Sequence, residues 1–136
     1  MEKFVFLEHT ADVKFQAFGN TLEEMTENSF LALKQAMFGK AKINSSKTKV
    51  IKAKGKDMES MIYNFLEEVI YFADAGEFLT SKIKDLKIKG FVMEATLMGD
   101  KPEKYSLSNN IKAVTYNEMF VKKQDNKWVC QVVLDA

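Results

Sequence analysis

Arginine is absent from the 136-residue chain, and cysteine and histidine occur once each. Without arginine there is no bidentate guanidinium grip on phosphate and no arginine–base stacking. The many aromatic residues fall instead at the spacing of a protein core. A lone Cys130 cannot form an internal disulfide, which points to a reducing compartment. One cysteine and one histidine also cannot supply the ligand spacing of a zinc site. No apolar run approaches the roughly 18 residues needed to cross a bilayer. Met1-Glu2-Lys3 leads into a short apolar run that stops at Glu8, so no signal peptide is expected. The expectation is a cytoplasmic protein with no membrane association. The net charge of +1 provides no strong field for a polyanion, although a local patch would not show in the total. A Gly-rich phosphate loop and a Gly-x-Ser-x-Gly elbow are both missing, and nothing marks a nucleophilic serine.

What is present is an ordinary globular composition, 46% apolar and 29% charged, in a chain long enough for one domain with its own core. Domain 1–136 has no internal repeat, linker or low-complexity segment. Phe4-Val5-Phe6-Leu7 reads as a buried type of strand, and Val13 to Phe18 as a strand of period two. Gly19-Asn20 turns the chain, and Thr21 with Glu24 forms a capping box for a helix over about Leu22–Met37, closed by Gly39. Thr48–Ala53 alternates lysine with apolar residues, as a strand near a guarded sheet edge does. Asp57 caps a second helix over about Met58–Ala75, whose broad apolar stripe (Met61, Ile62, Phe65, Leu66, Val69, Ile70) suits packing across a sheet. Its acidic residues Glu67, Glu68, Asp74 and Glu77 read as a solvated face. Further strands are expected over Ile83–Lys89, Phe91–Met98, Ile111–Tyr116, Met119–Lys122 and Lys127–Leu134. Gly90 marks a hairpin or bulge, and Gly99-Asp100-Lys101-Pro102 a turn. In the last strand Trp128, Cys130, Val132 and Leu134 share a face, with Cys130 as a small buried hydrophobe. About seven or eight strands and two helices predict an α+β fold, with mostly antiparallel β-sheets and two helices packed on them.

The chemistry concentrates in Glu8-His9-Thr10-Ala11-Asp12-Val13, the link between the first two strands. A plain turn accounts for it if Asp12 only bonds nearby backbone amides. Yet Asp12 immediately precedes a strand and Asp135 immediately follows one. If those strands are antiparallel neighbours, both carboxylates lie at one rim, joined by the terminal carboxylate of Ala136. Such oxygen donors suit a hard divalent ion: Ca²⁺, Mg²⁺ or Mn²⁺. Lys112, at another strand entry, would bring a counter-charge or a phosphate contact to the same place. A metal-dependent hydrolase built on Asp12 and Asp135 lacks an evident base or oxyanion donor.

His9-Thr10-Ala11-Asp12-Val13 followed by Ala17-Phe18-Gly19-Asn20-Thr21-Leu22-Glu23-Glu24 resembles the opening of the archease family. Leu66-Glu67-Glu68-Val69-Ile70-Tyr71, Ile111-Lys112-Ala113-Val114-Thr115-Tyr116 and Val132-Val133-Leu134-Asp135-Ala136 agree in order and spacing. The resemblance covers essentially the whole chain. It implies a non-enzymatic accessory protein that promotes guanylylation and repeated turnover of a tRNA-splicing RNA ligase. A tRNA cytosine methyltransferase is a second implied partner, in a chaperone-like role. Carried over by motif, Asp12, Asp135 and the last residue, Ala136, form the metal site, with Ca²⁺ expected in the isolated protein. Lys112 is the associated lysine. His9 belongs to the motif as a ligand neighbour or as a hydrogen-bonding support of the loop. Ala136 is smaller than the aliphatic residue the family more often carries there, Asn117 replaces a frequent histidine, and the stretch from Gly99 to Ser108 is short.

Overall fold

The computed structural model describes residues 2–10 and 12–136. Its elements are β1 (Phe4–Leu7), β2 (Val13–Gly19), α1 (Leu22–Phe38), β3 (Lys47–Lys54), α2 (Met58–Asp74), β4 (Leu79–Lys89), β5 (Val92–Asp100), β6 (Ala113–Gln124) and β7 (Lys127–Asp135). The strands form two sheets, one ordered β1-β2-β7-β6 and the other β3-β5-β4, and every pairing is antiparallel. Both helices touch both sheets: α1 packs on β2 and β4, α2 on β6 and β3. A single apolar cluster runs from Phe15, Cys130, Val132 and Leu134 through the helices to Met93, Ala95 and Leu97. This is the α+β architecture the residue pattern predicts, with the strands divided between two sheets.

Local chemistry explains the elements that hold the site. The Thr21 hydroxyl accepts from the Glu24 N–H at 3.0 Å, while the Glu24 carboxylate reaches back to the Asn20 N–H at 2.8 Å, one residue before the cap itself. Gly19 lets β2 run directly into α1, because a Cβ there would collide with the backbone of Met25. Asp57 accepts from Ser60 N–H at 2.7 Å to start α2. Gly90, at φ +62, opens the two-residue link between Lys89 and Val92, the positive φ that a tight hairpin requires at its first central position.

Several expectations are corrected. Gly99 and Asp100 belong to β5 and pair with β4, so the turn begins only at Lys101, followed by one 3₁₀ turn over Pro102–Lys104. Gly99 is needed there because the Leu79 carbonyl occupies the space a side chain would fill. Asp100 is fully buried and accepts from Ser46 Oγ (2.9 Å), Lys101 N–H (2.9 Å) and Tyr105 Oη (2.8 Å), with Lys104 Nζ at 3.4 Å. The expected strands over Ile111–Tyr116 and Met119–Lys122 are one strand, β6, interrupted by a bulge: Thr115 pairs with Val133 and Phe120 with Gln131. Glu67 is not simply solvated, since its carboxylate accepts from the Val114 N–H at 3.1 Å. β7 is buried on both faces, because Gln131, on the face away from the helices, bonds Gln16 at 3.0 Å and the Glu118 carbonyl at 2.8 Å.

The Tyr105 hydroxyl is the main cause of an Asp100 carboxyl held well below its ordinary 3.8, with the Lys101 amide, Ser46 and Lys104 adding to it against the opposing effect of burial. A carboxyl depressed on folding stabilises the native state above its unfolded value, and that contribution disappears as pH falls through the folded value. Asp100→Asn is therefore expected to lower stability near neutrality and to flatten the loss of stability below about pH 4. Urea midpoints across the acid range check this, and an unchanged slope in the variant would contradict it.

Candidate functional site

β2 and β7 are neighbours, and their register pairs Val13 with Leu134. Asp12 immediately precedes β2 and Asp135 ends β7, so this register brings both to the end where β2 begins and β7 ends. β6 completes the rim: Ala113 pairs with Asp135, and the Lys112 N–H donates to the Asp135 carbonyl at 2.7 Å. Lys112 is fixed from the other side by Ile111, which is buried and whose N–H and C=O are both bonded by the Asn109 side chain (2.8 and 2.9 Å). Three strand ends thus bring Asp12, Lys112 and Asp135 to one rim, with Ala136 following Asp135. The cause is topology: β7 is the central strand, and β2 and β6 flank it in opposite direction.

A second set of polar groups backs this rim. His9 Nε2 lies 3.0 Å from Glu118 Oε2, and Lys14 Nζ donates to Glu118 Oε1 at 3.1 Å. The carboxylate only accepts, so Nε2 carries the imidazole proton. His9 Nδ1 then faces Asp12 Oδ2 at 4.0 Å and is buried without a hydrogen-bond partner. Glu118 sits in the β6 bulge at φ +55, a conformation uncommon outside glycine. The bulge is held on its far side by Tyr116, which stacks on Tyr63 of α2 with centroids 4.0 Å apart and rings 5° from parallel. The motif histidine therefore supports the loop through Glu118, a residue the sequence did not single out and for which no local signal exists. The Glu118 carboxyl is held below its ordinary 4.5 by the His9 hydrogen bond first and the Lys14 hydrogen bond and charge next. In His9→Ala this carboxyl is expected to titrate closer to 4.5, as followed by carboxyl NMR. An unmoved titration would show that the bond contributes nothing in solution.

Among the described residues, no three side chains of His, Cys, Asp and Glu lie close enough to enclose a metal ion. The oxygen donors at this rim are the Asp12 and Asp135 carboxylates, with the main-chain oxygen of Ala136 adjacent in sequence. Such a set fits a hard cation that keeps part of its water shell. The orphaned Nδ1 of His9 is a polar atom that a water on such an ion would satisfy. Cys130, by contrast, is a core residue: burial pushes its thiol up to about 12, which leaves no nucleophile or metal ligand at neutral pH.

The antiparallel two-sheet α+β fold, with both helices packed across the two sheets, is that of an archease-like protein. Residues 4–136 match the Archease protein family (MTH1598/TM1083), and the chain belongs to that family. It is 33% identical over 140 residues to protein archease of Methanosarcina acetivorans, covering 98% of this chain and 96% of that protein. It is 34% identical over 142 residues to protein archease of Pyrococcus abyssi, covering 99% of each. Among solved structures, Methanobacterium thermoautotrophicum protein 1598 superposes with a TM-score of 0.79 at 28% identity over the whole of both chains. A Thermotoga maritima structure described as an archease, possible chaperone, shares the fold with a TM-score of 0.68 at 21% identity, over 96% of this chain and 94% of that one.

Proposed function

We propose that the chain is a metal-binding accessory protein that activates a tRNA-splicing RNA ligase, promoting guanylylation and repeated turnover. The observation that supports this most is the pairing of Val13 with Leu134, which brings the flanking Asp12 and Asp135 to one rim, with the Lys112 N–H bonded to the Asp135 carbonyl. Asp12, Asp135 and the Ala136 main-chain oxygen would hold the ion, which, when bound, supplies a positive centre able to neutralise phosphate charge. Lys112 adds a mobile point charge that reaches a partner's acidic group or its nucleotide. The His9–Glu118–Lys14 set keeps the Asp12 loop in place. The role of the rim in this reading is to assist a partner's chemistry.

The test is guanylylation of the cognate ligase by GTP with wild type, Asp12→Ala and Lys112→Ala. Both variants are expected to fold, as read by circular dichroism, and to lose stimulation. Wild-type stimulation by both would contradict the proposal. If no stimulation occurs at all, the test moves to the methyltransferase: its solubility and activity with and without this chain, before and after chelation of divalent ions.

A further inference from the structure

The sheet β3-β5-β4 has one face on the helices and the other bare. Inward residues such as Ile51, Ala53, Met93, Ala95 and Leu97 are buried, so the alternate positions point outward. The register sorts those outward residues into rows. Lys54 and Lys89 both pair with Val92, Lys52 and Lys87 both pair with Glu94, and Lys82 pairs with Met98. All five lysines are exposed. Glu94 and Asp85 share the rows with them, and Glu67 and Glu68 of α2 line the same cleft as Lys52 and Lys54 at the sheet edge, but among the described residues none of the five is within 4.0 Å of a carboxylate. With a whole-chain charge of +1, a face of this sign leaves the remainder net negative. The small total therefore hides a separated charge.

We propose that this face binds the phosphate backbone of RNA without regard to sequence. Lysines two residues apart on one strand are roughly 6.7 Å apart, and the β3 and β4 rows lie about 9.6 Å apart across the intervening strand. That is a regular double row of point charges, suited to a polymer with charge at every repeat. The rows carry no arginine and no aromatic side chain, and the one exposed aromatic nearby, Phe91, lies in the hairpin turn at their end, so the rows themselves have nothing with which to read base edges. An acidic protein partner is a poorer fit, because stable protein interfaces deplete charge at their centre and here the centre is Glu94 between two lysines. An anionic bilayer is a poorer fit too, since the apolar side chains exposed on this sheet, Val50 on β3 and Phe91-Val92 at the hairpin tip, are separated by the lysine rows rather than gathered into one inserting patch. The inference does not depend on the rim activating a ligase: the rim lies on the other sheet.

Edge protection alone also places outward lysines on β3 and β4, and the experiment separates the two. Anisotropy of a labelled mixed-sequence single-stranded RNA is measured from about 50 to about 200 mM salt, for wild type and for the combined Lys52→Gln, Lys54→Gln, Lys87→Gln and Lys89→Gln variant. Wild-type affinity is expected to fall on the order of 100-fold over that range, for a log–log slope of about −3 to −4. The variant is expected to bind at least about tenfold more weakly at the lowest salt, with a much shallower slope. A control variant of Lys122, Lys123 and Lys127, on the other sheet, is expected to bind like wild type. A quadruple variant that aggregates while its soluble fraction binds RNA normally would assign the lysines to edge protection and overturn the proposal. So would wild type that ignores RNA at low salt, or that prefers anionic vesicles to it. Ligase stimulation read alongside keeps the two functions apart, since loss of RNA affinity with stimulation on a short substrate retained concerns this face alone.

Discussion

Asp135→Ala is expected to abolish stimulation of the ligase while leaving the fold intact. Asp135 is exposed, and its structural bonds are made by its backbone: Ala113 pairs with it, and Lys112 N–H donates to its carbonyl. Truncating the side chain leaves those bonds in place and opens no cavity. Stability should change by no more than about 0.5 kcal/mol, the usual range for an exposed side chain without a special role. The functional loss should be large, because one of only two rim carboxylates is removed. Peripheral supports of a metal ligand already cost about 10–100-fold when lost, and a direct ligand should cost at least as much. Divalent-ion affinity by calorimetry and ligase guanylylation should fall together. Loss of guanylylation with ion affinity unchanged would point to a docking role for Asp135 rather than a metal.

Phe65→Ala should produce the largest loss of stability. Phe65 is completely buried on the face of α2 that faces the core, in the cluster where the two sheets and both helices meet. Removing a ring from such a site costs about 3–5 kcal/mol, from lost burial plus the cavity left behind. Domains of this size are stable by only about 5–15 kcal/mol, so much of the margin goes. A fall in Tm on the order of 10–20 °C follows. Urea unfolding checks it through a lower midpoint at an unchanged slope, and a loss below about 1 kcal/mol would mean the core collapses to fill the gap.

The sequence was most informative where signals are local. Both helices start at the expected N-caps, Thr21 and Asp57, although the Glu24 carboxylate closes on the Asn20 N–H rather than on Thr21 itself. The period-two strands were legible for the same reason. What failed was long-range or hidden behind an irregularity. β6 looked like two strands because its bulge breaks the alternation from Tyr116 to Met119. Gly99-Asp100 looked like a turn because glycine and aspartate favour turns, whereas here the glycine admits a close backbone and the aspartate sits in a cage of donors. The division into two sheets follows from pairings that no local pattern encodes. At the rim, chain order showed that Asp12 and Asp135 meet if β2 and β7 pair, and the register supplies that condition. Glu118 stayed invisible because its bond to His9 links residues 109 positions apart.

In the proposed role, the rim makes a partner ligase turn over. The most direct measurement is multiple-turnover ligation by the cognate ligase with this chain at substoichiometric amounts. Wild type is expected to give product well in excess of ligase, and Asp135→Ala a single-turnover yield. Product limited to one turnover in both cases, with a competent ligase and a folded chain, would contradict it.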